Sequence, residues 1–127
     1  MSTVGLAEVL AAVLPVEADA DGALTVHHDG TVASLRTVTI AEDLEMISLT
    51  QVLGWDLPCT ADLRKRVAAQ ANATMLGTVV LVERPGKRAD VMLRYNFPCA
   101  GLGETALRTL VLMVLDTGAG VRRDLRC

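Results

Sequence analysis

Aromatic side chains are nearly missing from this 127-residue sequence, which has one Trp, one Tyr and one Phe, 2% of the chain. Trp55, Tyr95 and Phe97 are too few for the base-stacking platforms on which single-stranded nucleic acids bind. Positive charge is also short. Twelve Lys and Arg stand against fifteen Asp and Glu, a net charge of −3 with a pI near 5.3. A general nucleic-acid binder needs a basic surface to release counterions, so that class is excluded. Long apolar runs are absent: Leu110 to Leu115 falls far below the ~18 residues of a membrane span. The N-terminal MSTVGLAEVL lacks the basic flank and long apolar stretch of a signal peptide. The expectation is a soluble, cytoplasmic protein. The cysteines number three, Cys59, Cys99 and Cys127, and an odd set without a signal peptide reads as reduced thiols.

What is present suffices for a core. Hydrophobic residues make up 51% of the chain, and the length is that of one domain, taken as residues 1–127. Residues 4–14, VGLAEVLAAVL, put Leu6, Val9, Leu10 and Val13 on one helical face. Ser2 or Thr3 can cap that helix, and Pro15 follows it. EADADGA then reads as an acidic turn. Residues 23–28 alternate as a strand. Asp29-Gly30 predicts a type I′ hairpin turn, whose two central residues both need positive φ. TVASLRTVTI, residues 31–40, is the return strand. Residues 44–56, LEMISLTQVLGWD, form a long strand with Ile47, Leu49, Leu53 and Trp55 on one face and a more polar face of Met46, Ser48, Thr50 and Val52. Gly54 marks a bulge or kink in it.

A helix is predicted over 61–75, with Thr60 as cap, Asp62 in the first turn and a stripe of Leu63, Val67, Ala71 and Met75. Ala68, Ala69 and Ala73 leave the rest of it thin, open to close approach by another backbone. TVVLVER, residues 78–84, is a strand apolar on both faces, and RPGKRA a hairpin loop. In residues 90–97 Val91, Leu93, Tyr95 and Phe97 point inward, and Met92, Arg94 and Asn96 outward. The last helix is placed at about 103–117, with Leu107, Leu110, Val111 and Val114 as its core face and Leu112, Met113 and Leu115 elsewhere on the wheel. A helix apolar on most sides needs further cover, and a partner subunit would supply it. The order is α-β-β-β-α-β-β-α, an α+β fold.

That order, with the stretches LEMISLTQVLGWDLP, AQANATMLGTVVLVE (Asn72 ahead of Gly77) and ADVMLRYNFP followed by an apolar helix, resembles the YbjN family, in its actinobacterial form, within the type III secretion chaperone-like fold. The resemblance spans about residues 5–125 and rests on apolar patterning. It implies a five-stranded antiparallel sheet with helices packed on it, a homodimer, and chaperone-like binding of partner segments with a loose link to stress responses. It implies no catalytic residue and no cofactor.

Several motifs suggest chemistry and are better read as structure. VLDTGAG, residues 114–120, matches the Asp-Thr-Gly turn of dimeric aspartic proteases, but it sits at the wrong end of the chain on a helical run. It reads as a helix C-terminus, with Gly118 or Gly120 in the left-handed cap position and Arg122 and Arg123 just beyond. His27 and His28 are strand neighbours on opposite faces and cannot easily share a metal. AGLGET, residues 100–105, lacks the Lys-Ser/Thr of a P-loop, and Glu104 would repel phosphate. The basic clusters LRKR (63–66) and RPGKR (84–88) read as a solvated helix face and a loop, or as a contact for an acidic partner. Cys59 and Cys99 each follow a proline and precede a helix. A thiol site on either needs a histidine that no signal places there. The two should stand at opposite ends of the sheet, too far apart for a disulfide.

The favoured function is a non-enzymatic protein-binding module acting as a homodimer. The candidate partner surface is Met46, Ser48, Thr50, Val52, Met92, Arg94 and Asn96, because Met-rich mixed surfaces adapt to several partners. The candidate dimer surface is Ala69, Ala73, Leu112, Met113 and Leu115. The rivals are a subunit defined only by its dimer surface and a thiol enzyme centred on Cys59 or Cys99.

Overall fold

The computed structural model of the chain describes residues 3–126, with side chains from residue 5 onward. Its elements are α1 (Thr3–Ala11), β1 (Val16–Ala18), β2 (Leu24–His28), β3 (Thr31–Ala41), β4 (Leu44–Pro58), α2 (Ala61–Ala73), β5 (Thr78–Arg84), β6 (Arg88–Pro98) and α3 (Glu104–Leu125). The strands form one sheet in the order β1-β2-β3-β4-β6-β5, antiparallel throughout. The α+β class and the expected elements stand, but the sheet has six strands, not five. The extra one, β1, lies where an acidic turn was expected. Asp19 N–H donates to Ala23 O at 2.8 Å and Gly22 N–H to Asp19 O at 3.1 Å, and this tight turn lays Val16 to Ala18 along β2.

One face of the sheet and all three helices build one core. Leu24, Val26, Leu35, Ile47, Leu49, Leu53, Val91 and Leu93 are fully buried there, against Leu6 and Leu10 of α1, Leu63 and Val67 of α2, and Leu107, Val111 and Val114 of α3. Strand side chains alternate between faces, so the residues between these belong to a face that carries no helix. The hairpin turn is as expected: Asp29 has φ 45° and Gly30 φ 78°. Thr60 caps α2 by accepting from Leu63 N–H.

Four details of the reading change. First, α1 stops at Ala11, so Val13 is 45% exposed and Leu14 takes the buried place beside Leu10; Ser2 and Cys127 lie outside the described residues. Second, α2 ends at Ala73, which leaves Met75 96% exposed and off the stripe. Third, Trp55 leaves the core face. The register shifts on both sides of Gly54, and Asp56 takes φ 52°. This bulge reverses the alternation and leaves Trp55 60% exposed.

Fourth, α3 does not end at the glycines. It runs 22 residues to Leu125, and Arg126, at φ 59°, takes the left-handed cap. The cause lies in β4. Gln51 is fully buried in the middle of the core face. Its Nε2 donates to Leu115 O at 3.0 Å and to Thr31 Oγ1 at 2.8 Å. A Cβ at Gly118 would stand 1.8 Å from Gln51 Oε1. Gly118 is therefore a notch in the helix that admits this side chain, not a stop signal.

Candidate functional site: the helix-free face of the sheet

The register assembles the helix-free face from cross-strand rows. Ser34, Thr50, Arg94 and Thr78 form one row across β3, β4, β6 and β5. Val32, Val52, Met92 and Val80 form the next, and Arg36, Ser48 and Asn96 another. All seven residues expected at a partner surface thus lie together on three adjacent rows and at their margin, where Met46 pairs with Val38 and Pro98. Met46, Ser48, Thr50, Val52 and Met92 are half-buried, and Arg94 and Asn96 exposed. Sequence alternation placed β4 and β6 correctly. It missed the apolar residues that β3 adds, Val32 and Val38, exposed at 43% and 37%, because only the strand order brings them alongside β4.

At the end of this face nearest the Gly54 bulge sits an ion-paired cluster. Asp90 is fully buried. It accepts from Asp56 N–H at 2.8 Å through Oδ1 and from Arg84 Nε through Oδ2. Arg84 also lies over the Trp55 ring, 4.5 Å from its centroid, within cation–π range. Arg88 Nε donates to Asp56 Oδ1 at 3.0 Å. The bulge thus folds over a carboxylate and presents an aromatic surface beside it. A lone Trp after a strand glycine was the available signal, but strict alternation concealed it.

The helical side holds the residues proposed for a dimer surface. Ala69 and Ala73 are exposed on α2, Leu112 is half-buried, and Met113 is 51% exposed. Leu115 is removed from that surface: it is fully buried, and its carbonyl receives Gln51. Ala73 and Met113 line one groove of about 690 Å³ with Gln70, Met75, Leu76 and Val121.

The motifs with chemical promise come apart. Asp116 is an exposed mid-helix residue whose Oδ1 lies 2.6 Å from His28 Nε2, so Asp-Thr-Gly is no protease turn. With the Asp29–Arg123 pair at 2.7 Å it fastens the β2–β3 hairpin to α3. His27 faces away, 3.9 Å from Glu17. Among the described residues no group of three His, Cys, Asp or Glu could hold a metal ion. Cys59 N–H donates to Lys87 O and Cys99 N–H to Glu45 O. These anchor points lie at opposite ends of the β4–β6 pair, roughly 35–40 Å apart at about 3.3 Å per residue. One carboxylate in the loops is perturbed: Asp21 is held below the ordinary aspartate range by the Ala23 backbone N–H, with Arg36 adding to it at 2.7 Å.

No family model and no curated protein matches the chain. In fold it is similar to the type III secretion chaperone SycH of Yersinia pestis, whose crystal structure is a complex with a stable fragment of YscM2. The TM-score is 0.54 at 13% identity, covering 94% of this chain and 99% of that one. That likeness shows a chaperone-like α+β fold. No helix among the described residues is long and apolar enough to cross a membrane.

Proposed function

We propose that this protein is a non-enzymatic, chaperone-like module that docks a segment of another protein on the helix-free face of its sheet. The observation that carries the reading is that face itself. It carries the apolar row of Val32, Val52, Met92 and Val80, with Val38 and Met46 at its margin, and no described helix of the chain covers it. Exposed apolar area of that kind is costly to keep unless it is used. The likeness in fold to a chaperone seen with a bound protein fragment points the same way. The reading includes cytoplasmic residence, a stress-related role of the YbjN kind, and a homodimer formed through the groove of Ala73 and Met113, flanked by Ala69 and Leu112.

A photo-crosslinking residue at Asn96, on the face, and another at Lys65, exposed on α2, test it in cells. Crosslinks to a second polypeptide from Asn96 and not from Lys65 are expected. Self-crosslinks alone from Asn96 would leave the rival reading, a subunit that is only its dimer.

A further inference from the structure

Charge on the helix-free face is paired off except at one residue. The strand positions of this face hold four arginines, Arg36, Arg84, Arg88 and Arg94. The carboxylates at its strand positions are Asp90, buried beneath Arg84, Asp56 beside Arg88, and Glu17 at the edge. Arg36, Arg84 and Arg88 are already neutralised by Asp21, Asp90 and Asp56. Arg94 is not. It is exposed near the centre of the face, between Thr50 and Thr78 in its row and beside the Val52–Met92 row. Among the described residues its guanidinium has neither a carboxylate nor a hydrogen-bond partner. An unpaired guanidinium beside an apolar row is a fork awaiting a carboxylate.

We propose that the segment docked there is acidic and amphipathic, with apolar side chains on the valine and methionine rows and an Asp or Glu paired with Arg94. This rests on the docking reading above and names the partner's chemistry. A second copy of the chain is disfavoured on this face, because a two-fold axis would set Arg94 near its own copy. An anionic membrane is disfavoured as well. Binding to it takes a cluster of basic residues, whereas here, among the described residues of the face, a single arginine is free amid Ser34, Ser48, Thr50, Thr78 and Asn96, which suit hydrogen bonds to a peptide.

The test is selection of a displayed random-peptide library on the full chain, followed by titration of recovered peptides against variants with native circular dichroism. The expected peptides are net negative and alternate acidic with apolar residues. They bind Arg94→Glu about tenfold or more weakly, Arg94→Gln to a smaller extent, and Lys65→Glu unchanged. Peptides without acidic bias that lose binding to Val32→Glu but not to Arg94→Glu would overturn the acidic partner and leave the docking face standing. Peptides indifferent to both variants would overturn the docking face and this inference with it. Phosphatidylserine vesicles that bind the protein through Arg94 and displace the peptides would replace the protein partner by a membrane.

Discussion

At the scale of single residues, two glycines in α3 show how a motif can be misread. Gly118 and Gly120 sit in the same helical stretch and invite the same reading as a stop. Their environments differ. Gly118 is packed against Gln51, whereas a Cβ at Gly120 would meet nothing nearer than Arg123 at 3.7 Å. Gly120→Ala is therefore expected to stabilise the fold by up to about 1 kcal/mol, the usual gain of Ala over Gly inside a helix. Gly118→Ala must displace a buried, hydrogen-bonded amide and should cost about 2–3 kcal/mol. Chemical denaturation of both variants checks this, and equal effects would contradict the notch. The Asp21 carboxyl offers a second test at this scale. Its lowered pKa is a folded-state effect, so its contribution is present above the unfolded pKa and fades as pH falls through the folded one. NMR titration should show that Arg36→Gln moves this carboxyl upward, though only partly, because the Ala23 N–H remains.

At the scale of elements, the sequence was legible wherever a local rule governs. The Asp29-Gly30 turn, the Thr60 cap and the alternation of β4 and β6 follow from rules that act over a few residues, and each is found. What escaped depends on partners distant in sequence. Three-residue β1 is a strand only because β2 lies beside it. Gln51 sits inside because α3 has a notch for it, and Trp55 turns outward because the Gly54 bulge shifts its register. The repeated Pro-Cys joints were resolved by topology. With β4 antiparallel to β6, Cys59 and Cys99 face opposite ends of the sheet. Under oxidising conditions no intramolecular Cys59–Cys99 disulfide should form, and Cys99, 6% exposed, should alkylate more slowly than half-buried Cys59. A Cys59–Cys99 crosslink found by mass spectrometry would refute the strand order.

At the scale of the whole molecule, the fold divides the chain into two surfaces. The helices cover one face and leave on their own outer side a groove of Ala73, Met75 and Met113; the other face carries no described helix. The candidate partner surface was legible in β4 and β6 because period-two patterning exposes it. The dimer surface was less so, since helical-wheel reasoning cannot tell outward Met113 from inward Leu115 without knowing where α3 crosses the sheet. The dimer reading expects a two-chain mass by sedimentation at micromolar concentration, reduced to one chain by Met113→Glu; a monomeric wild type would end it. The methionines offer the most direct test of the docking face, because Met46 and Met92 lie on it, while Met75 and Met113 line the opposite groove. Methyl-labelled methionine spectra should be recorded while the protein is titrated with the segment that crosslinks to Asn96. Docking on the bare face predicts that the Met46 and Met92 methyls shift and that those of Met75 and Met113 stay. Shifts confined to Met75 and Met113 would contradict it.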